Sequence, residues 1–213
     1  KSYDLEPREL RNAVLTLAIE GKLVPQDRSD ESAQKYLERL RRGRSRPRYE
    51  KKTTADQTHE SAQQDSGSFA LPAAWCWTQL GELACLVTSG SRDWARYYST
   101  EGAIFVRMGN LSRGTYRLRL DKLQRVTPPK DAEGDRTRLE PNDLLVSITG
   151  EVGLLGLIPQ GFGEAYINQH TCLVRLPAEL HTRFIAEYFR SPFAQRYFGG
   201  PQRGLKNSFR LSD

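Results

Sequence analysis

The sequence predicts an α+β fold: a mixed, mostly antiparallel twisted sheet with flanking helices, preceded by an N-terminal helical arm. Three observations lead there. Between positions 141 and 177, segments 144–148, 153–158, 164–167 and 171–176 are short runs of aliphatic and β-branched residues bounded by Gly, Pro and Asn, the signature of closely spaced strands. Two helical patterns precede this block and another follows it. Strands gathered together, with helices gathered at either side, define the α+β class.

The N-terminal pattern opens at Glu6-Pro7, with proline in the first turn, and places Leu10, Ala13, Val14, Leu17 and Ala18 on one expected apolar face before Gly21. Ser29 or Asp30 then caps a second helix with a stripe of Ala33, Tyr36, Leu37 and Leu40. Neither helix buries its stripe alone, so each needs the other, the following domain or a partner. From 41 to 68 the chain reads R-R-G-R-S-R-P-R-Y-E-K-K and then a polar run almost free of apolar side chains. Such a segment cannot offset the entropy of ordering and is expected to be a flexible basic linker, either gripping phosphates or simply solvated. The expected organisation is therefore a helical segment at 1–40, a linker at 41–68 and a main domain at 69–213.

The main domain begins F-A-L-P-A-A-W-C-W-T-Q-L-G-E-L-A-C-L-V-T-S-G, where Trp75 and Trp77 alternate as across a first strand. In S-R-D-W-A-R-Y-Y, Arg92, Arg96, Tyr97 and Tyr98 interleave basic and aromatic side chains; this suits a nucleic-acid groove, and equally an amphipathic helix with Trp94 and Tyr98 turned inward. Residues 104–108 read as a strand in which Arg107 sits among apolar neighbours and calls for an anionic partner. Residues 115–126 alternate like a half-exposed strand and its return. In the central block, Ser147, Thr149, Gly150, Asn168, Gln169 and His170 interrupt the apolar pattern at turns and are placed to face a ligand. A helix over 178–190, a second helical piece through Phe198 and the basic loop G-G-P-Q-R-G-L-K-N-S-F-R complete the chain.

Composition limits what this architecture does. The chain has 213 residues, 38% of them hydrophobic, enough for a core, and no apolar run long enough to span a bilayer. Its opening K-S-Y-D-L-E-P-R has no apolar signal core, which makes a cytoplasmic location the expectation, with no membrane partner. Cys76, Cys85 and Cys172 are odd in number and scattered, so buried free thiols are expected rather than disulfides or zinc ligands. A net charge of +6 and a pI near 9.3 favour a polyanionic partner.

The search for catalytic chemistry finds none. Gly-x-Gly-x-x-Gly, Walker, His-Glu-x-x-His and Gly-x-Ser-x-Gly patterns are all missing from the sequence. Asp143 and Glu151 suggest a metal-dependent nuclease only weakly, because no Glu-x-Lys follows, and Pro-Asn-Asp before an apolar strand is the usual form of a turn. His170 and Cys172 are too few for zinc, His59 lies in the linker and His181 at a helix start. Neither catalytic nor cofactor-binding nor metal-binding residues are expected.

Several stretches together resemble one family. L-P-A-A-W-C-W-T-Q-L-G-E-L-A followed by T-S-G, R-M-G-N-L at 107–111, N-D-L-L-V-S-I-T-G with Gly153, and A-Y-I-N-Q-H-T-C-L-V-R-L at 165–176 are similar to the target recognition domain of type I restriction-modification specificity subunits. R-N-A-V-L-T-L-A-I-E-G-K-L-V-P-Q-D with S-D-E-S-A is similar to the helical segment that often precedes such a domain. The motifs are individually loose, and their order and spacing carry the resemblance.

The resemblance implies a noncatalytic subunit that reads one half of a bipartite double-stranded DNA site. It implies modification subunits performing S-adenosylmethionine-dependent adenine methylation and a restriction subunit using ATP and magnesium, with no cofactor in this chain. With one recognition domain rather than two, the chain is expected to be a fragment or a half-subunit capable of self-association. The residues expected at DNA are Ser91, Arg92, Arg96, Tyr97, Arg107, Asn110, Arg113, Thr149, Arg203, Lys206 and Asn207. The alternative is a protein-interaction or scaffold module without specific DNA binding.

Overall fold

Alternation along the strands decides the layering. In the computed structural model, which describes residues 6–42, 69–90, 92–128 and 132–199, eight strands form two four-stranded sheets. The first has the order β1 (Leu86–Ser89), β8 (Thr171–Arg175), β5 (Leu144–Ser147), β6 (Leu155–Leu157), every neighbour antiparallel. The second has the order β2 (Tyr98–Ser99), β4 (Gln124–Val126), β3 (Ala103–Val106), β7 (Ala165–Ile167), antiparallel except for β3 against β7. The α+β class predicted from the sequence is the observed one, its strands divided between two sheets rather than gathered in one.

Because successive strand side chains point to opposite faces, β5 sends Leu144 and Val146 one way and Leu145 the other, while β8 does the same with Cys172 and Val174 against Leu173. Leu145 and Leu173 meet Val106 of β3 and Ile167 of β7 in an apolar layer between the sheets. Leu144, Val146 and Val174 meet helices on the outer face of the first sheet: Leu37 and Leu40 of α2 (Ala33–Arg42), Leu83 of the short α3 (Leu80–Leu83) and Ala186 of α5 (Thr182–Arg190). On the outer face of the second sheet, Phe105 and Tyr166 receive Trp94 from a 3-10 turn, Trp94–Tyr97, with the Trp94 and Phe105 rings stacked at 5.0 Å. The result is helices, sheet, sheet and an aromatic cover. The remaining helices among the described residues are α1 (Pro7–Ile19), α4 (Ala132–Thr137) and α6 (Pro192–Gly199).

The stripe predicted for α2 is the buried one. That predicted for α1 is not: Leu15 and Ile19 are buried, whereas Leu10, Val14 and Leu17, about half a turn away, are 55%, 41% and 42% exposed. The segment with Trp75 and Trp77 forms no strand. Its Ala74 carbonyl accepts the Ala33 N–H at 2.8 Å, Trp75 Nε1 donates to Gln26 Oε1 at 2.8 Å, and Trp77 packs on Phe69 and Phe193, so helix ends and rings hold it instead of a ladder. Within 115–126 only Gln124–Val126 is a strand, because the carbonyls of Arg119 and Lys122 are taken by a side-chain amide, Asn110 Nδ2. Of Trp94 and Tyr98, both inward in the amphipathic-helix alternative, Trp94 is buried and Tyr98 is exposed. Cys172 is buried as expected, and burial pushes its thiol up to about 12; Cys85, by contrast, is exposed. The proposed linker lies, but for Arg41 and Arg42, outside the described residues.

Candidate nucleic-acid interface

The pairing registers bring one set of strand ends together. Ser147 at the end of β5 and Ser89 at the end of β1 flank the start of β8, opposite Thr171 and Cys172 respectively. Val106, ending β3, lies beside Ile167, ending β7, and the β7–β8 turn leads directly into Thr171. Loops carrying Gly90 and Arg92, residues 107–110, 148–153 and 168–170 therefore emerge on one rim. Backbone bonds tie them: Gly90 N–H donates to Asn168 O at 3.2 Å and Ile148 N–H to His170 O at 3.0 Å.

Close approach sets the composition of this rim. A Cβ on Gly90 would lie 2.2 Å from the Ile167 carbonyl oxygen, so no other residue lets β1 pass β7 this closely. Gly153 has φ +81 and a Phe198 ring of α6 directly against it, which clamps the 148–153 loop onto a helix. Ser147 tightens the same loop, its Oγ donating to Glu151 O at 2.6 Å and accepting from Leu154 N–H at 2.8 Å. The guanidinium of Arg136 in α4 donates to Thr88 Oγ1 and Ser89 O, fixing the end of β1.

The rim's polar side chains are connected. Asn168 Oδ1 accepts from His170 N–H and Thr171 Oγ1, each at 3.2 Å. His170 Nδ1 lies 2.6 Å from Thr149 Oγ1, and its Nε2 lies 2.9 Å from Gln169 Nε2. An amide nitrogen only donates, so Nε2 is the acceptor and Nδ1–H donates to Thr149. That leaves the Thr149 O–H itself free to rotate toward a further acceptor. Chemically this is a set of donors and acceptors on a fixed backbone, suited to base edges.

Of the residues expected at DNA, Thr149 lies on this rim, and Arg107 borders it. Arg92 is exposed just beyond Gly90. Arg96 is exposed one 3-10 turn further on, its guanidinium 4.9 Å from the half-buried Tyr97 ring. Arg113 reaches the rim as an ion pair with Glu151, Nε to Oε1 2.8 Å, both side chains more than half exposed. Arg107 is half-buried, and its guanidinium has neither a carboxylate nor another hydrogen-bond acceptor among the described residues.

Asn110 needs correction as a base reader. It is 3% exposed, and its amide is spent on the protein, Oδ1 accepting from Arg107 N–H and Nδ2 donating to the Arg119 and Lys122 carbonyls. Ser91, Arg203, Lys206 and Asn207 lie outside the described residues. The sequence-based choice also passed over Arg117, Arg119 and Lys122, which are exposed and without ion-pair partners among the described residues; their alternation with Tyr116 and Leu118 was the available signal.

No family model matches the chain. It is 27% identical over 150 residues to the type I restriction enzyme EcoAI specificity subunit of Escherichia coli, a match covering 70% of this chain and 25% of that protein. It is 34% identical over 79 residues to the type I restriction enzyme EcoEI specificity subunit of Escherichia coli, covering 37% of this chain and 13% of that protein. The matches thus span a quarter or less of each relative's length. In fold it resembles a chain from work on complex assembly and conformational transition of the type I R-M system, with TM-score 0.50, 16% identity and coverage of 98% of this chain and 46% of that one. The resemblance to type I specificity subunits found in the motifs is thus also present as sequence similarity over 150 and 79 residues of this chain.

Proposed function

We propose that this chain is a noncatalytic DNA-reading part of a type I specificity subunit, recognising one half of a bipartite duplex site and directing adenine methylation and restriction by partner subunits. Those partners would bring S-adenosylmethionine, ATP and magnesium. The observation that carries the reading is the rim: loops from both sheets, fixed by Gly90, Ser147 and Asn168, present Thr149, Gln169 and His170 beside Arg92 and Arg107. Similarity to two specificity subunits supports it. In this reading Arg92, Arg96 and Thr149 meet base edges, and the surrounding cations meet phosphates.

The test is selection from a pool of random duplexes by the full chain, alone and with a modification subunit, at two salt concentrations. Enrichment of a short defined half-site, strengthened by the subunit, supports the proposal; salt-sensitive binding with no enriched sequence contradicts it. The exposed Leu10, Val14 and Leu17 of α1 favour a second reading, a protein-docking module, whether for modification subunits or another copy. If docking were the whole function, the chain would form a complex with its partner and show no salt-dependent duplex affinity.

A further inference from the structure

Asn110 organises more than its own turn. Its backbone N–H donates to Arg107 O at 2.8 Å, its carbonyl accepts from Arg119 N–H at 2.8 Å, and its side-chain amide binds Arg107 N–H, Arg119 O and Lys122 O at 3.0, 2.9 and 3.3 Å. One buried amide therefore pins the backbones of three cationic residues. None of the three has an ion-pair partner among the described residues, and Asp121, in the same turn, pairs with none of them. Three cations anchored through their backbones to one residue and engaged in no ion pair among the described residues add to the positive potential that an anion arriving from outside meets.

The position of this hub is equally specific. Arg107 follows Val106, whose register partner is Ile167 at the rim, and Met108 lies against Gly150 in the 148–153 loop. Beyond it, Leu118 packs on Gly156 and Tyr116 O accepts from Leu157 N–H, so residues 116–119 lie along the free edge of β6 with Arg117 and Arg119 exposed. The hub flanks the rim.

We infer that the Asn110 hub is a clamp for the phosphodiester backbone, with Arg107, Arg119 and Lys122 as the contacting cations and Asn110 as the positioning residue, gripping duplex DNA next to the base-reading loops. This rests on the proposed DNA-reading function and assigns Arg107 to a phosphate rather than to a base. The amide that would read adenine is consumed in holding the cations. Cations on pinned backbone bind a phosphate whatever the sequence, and each phosphate neutralised releases counterions.

The experiment combines Arg107→Gln, Arg119→Gln and Lys122→Gln in the full chain and measures duplex affinity across a salt series, together with selection from the random pool, alone and with the modification subunit. Arg8→Gln with Arg11→Gln, exposed cations on α1, controls for loss of positive charge away from the hub. The expected result is a log affinity against log salt slope shallower by about 2 to 3, at about 0.9 per lost phosphate contact. The enriched sequence stays the same and the α1 control keeps the wild-type slope. A triple-variant slope as steep as wild type, or equally lowered by the control, overturns the clamp. So does a changed enriched sequence, which would make these residues base readers. If wild type binds duplexes without enriching any sequence, the recognition reading fails and the slope alone judges the clamp. Absence of duplex binding by wild type, with or without the subunit, overturns both.

Discussion

Two strand ends, one in each sheet, handle charge in opposite ways. At the end away from the rim, Arg175 closes β8 with Nε and Nη2 each 2.8 Å from an Asp143 oxygen and Nη1 2.6 Å from Glu140 Oε1. Asp143 is buried at 1% exposure and also accepts Glu140 N–H at 2.7 Å. Burial pushes its carboxyl above the ordinary carboxylate range, against the pull of Arg175. At the rim, Arg107 follows an equally apolar strand and has no counter-charge among the described residues. Both arginines sit at strand ends among aliphatic neighbours. One is neutralised by the fold, and the other, on the proposed function, is left for an external anion. The lesson is that pairing, rather than burial or residue type, separates a structural cation from one available to a partner.

The comparison breaks most forcefully at the closed end. Arg175→Met leaves Asp143 buried without its cation and is expected to lower unfolding free energy by about 3 to 5 kcal/mol, read by urea denaturation, while the sequence selected from random duplexes stays unchanged. If stability held, the pairing contrast would lose its basis. Gly90→Ala drives a methyl into the Ile167 carbonyl and is expected to cost roughly 3 kcal/mol, the upper part of the overpacking range, shifting the thermal midpoint and loosening the rim together.

At the open end the effect moves from stability to binding. Arg96→Ala removes an exposed guanidinium that lies against the Tyr97 ring, so unfolding should change little while affinity for the selected half-site falls by about 1 to 3 kcal/mol and discrimination relaxes at one position. Equal weakening for every sequence would instead place Arg96 on a phosphate. The smallest effect is expected between the two regimes: a double-mutant cycle on Arg113 and Glu151, an exposed pair, should return a coupling of about 0.2 to 1 kcal/mol in unfolding, shrinking with added salt.

Local patterns made β5, β8 and the buried stripe of α2 legible, because Leu144 to Val146, Cys172 to Val174 and the pair Leu37 and Leu40 carry their periods within a few residues. The α1 stripe misled for a physical reason. Periodicity reveals that a helix has an apolar face but not which surface covers it, and two side chains, Leu15 and Ile19, sufficed to anchor the opposite face. Trp75 and Trp77 alternate as in a strand, yet their rings find Phe184 and Phe193 in later helices. The rim was half visible. Thr149, Asn168, Gln169 and His170 announced themselves as polar breaks between strands, whereas the parallel pairing of β3 with β7, which brings Arg107 near them, joins residues some sixty positions apart. Asn110 illustrates the remaining gap, since an amide following a glycine reads as a surface turn until its five bonds are seen.

The apolar layer shared by Val106, Leu145, Ile167 and Leu173 has a consequence for whatever meets the rim. A close-packed interior yields little, and here it locks together the two sheets from which the loops spring. The separations between those loops are thus a gauge of fixed width. On the proposed function a duplex has to fit that gauge, so sequences whose grooves already have the matching width, or bend to it cheaply, are favoured even at base pairs no side chain touches.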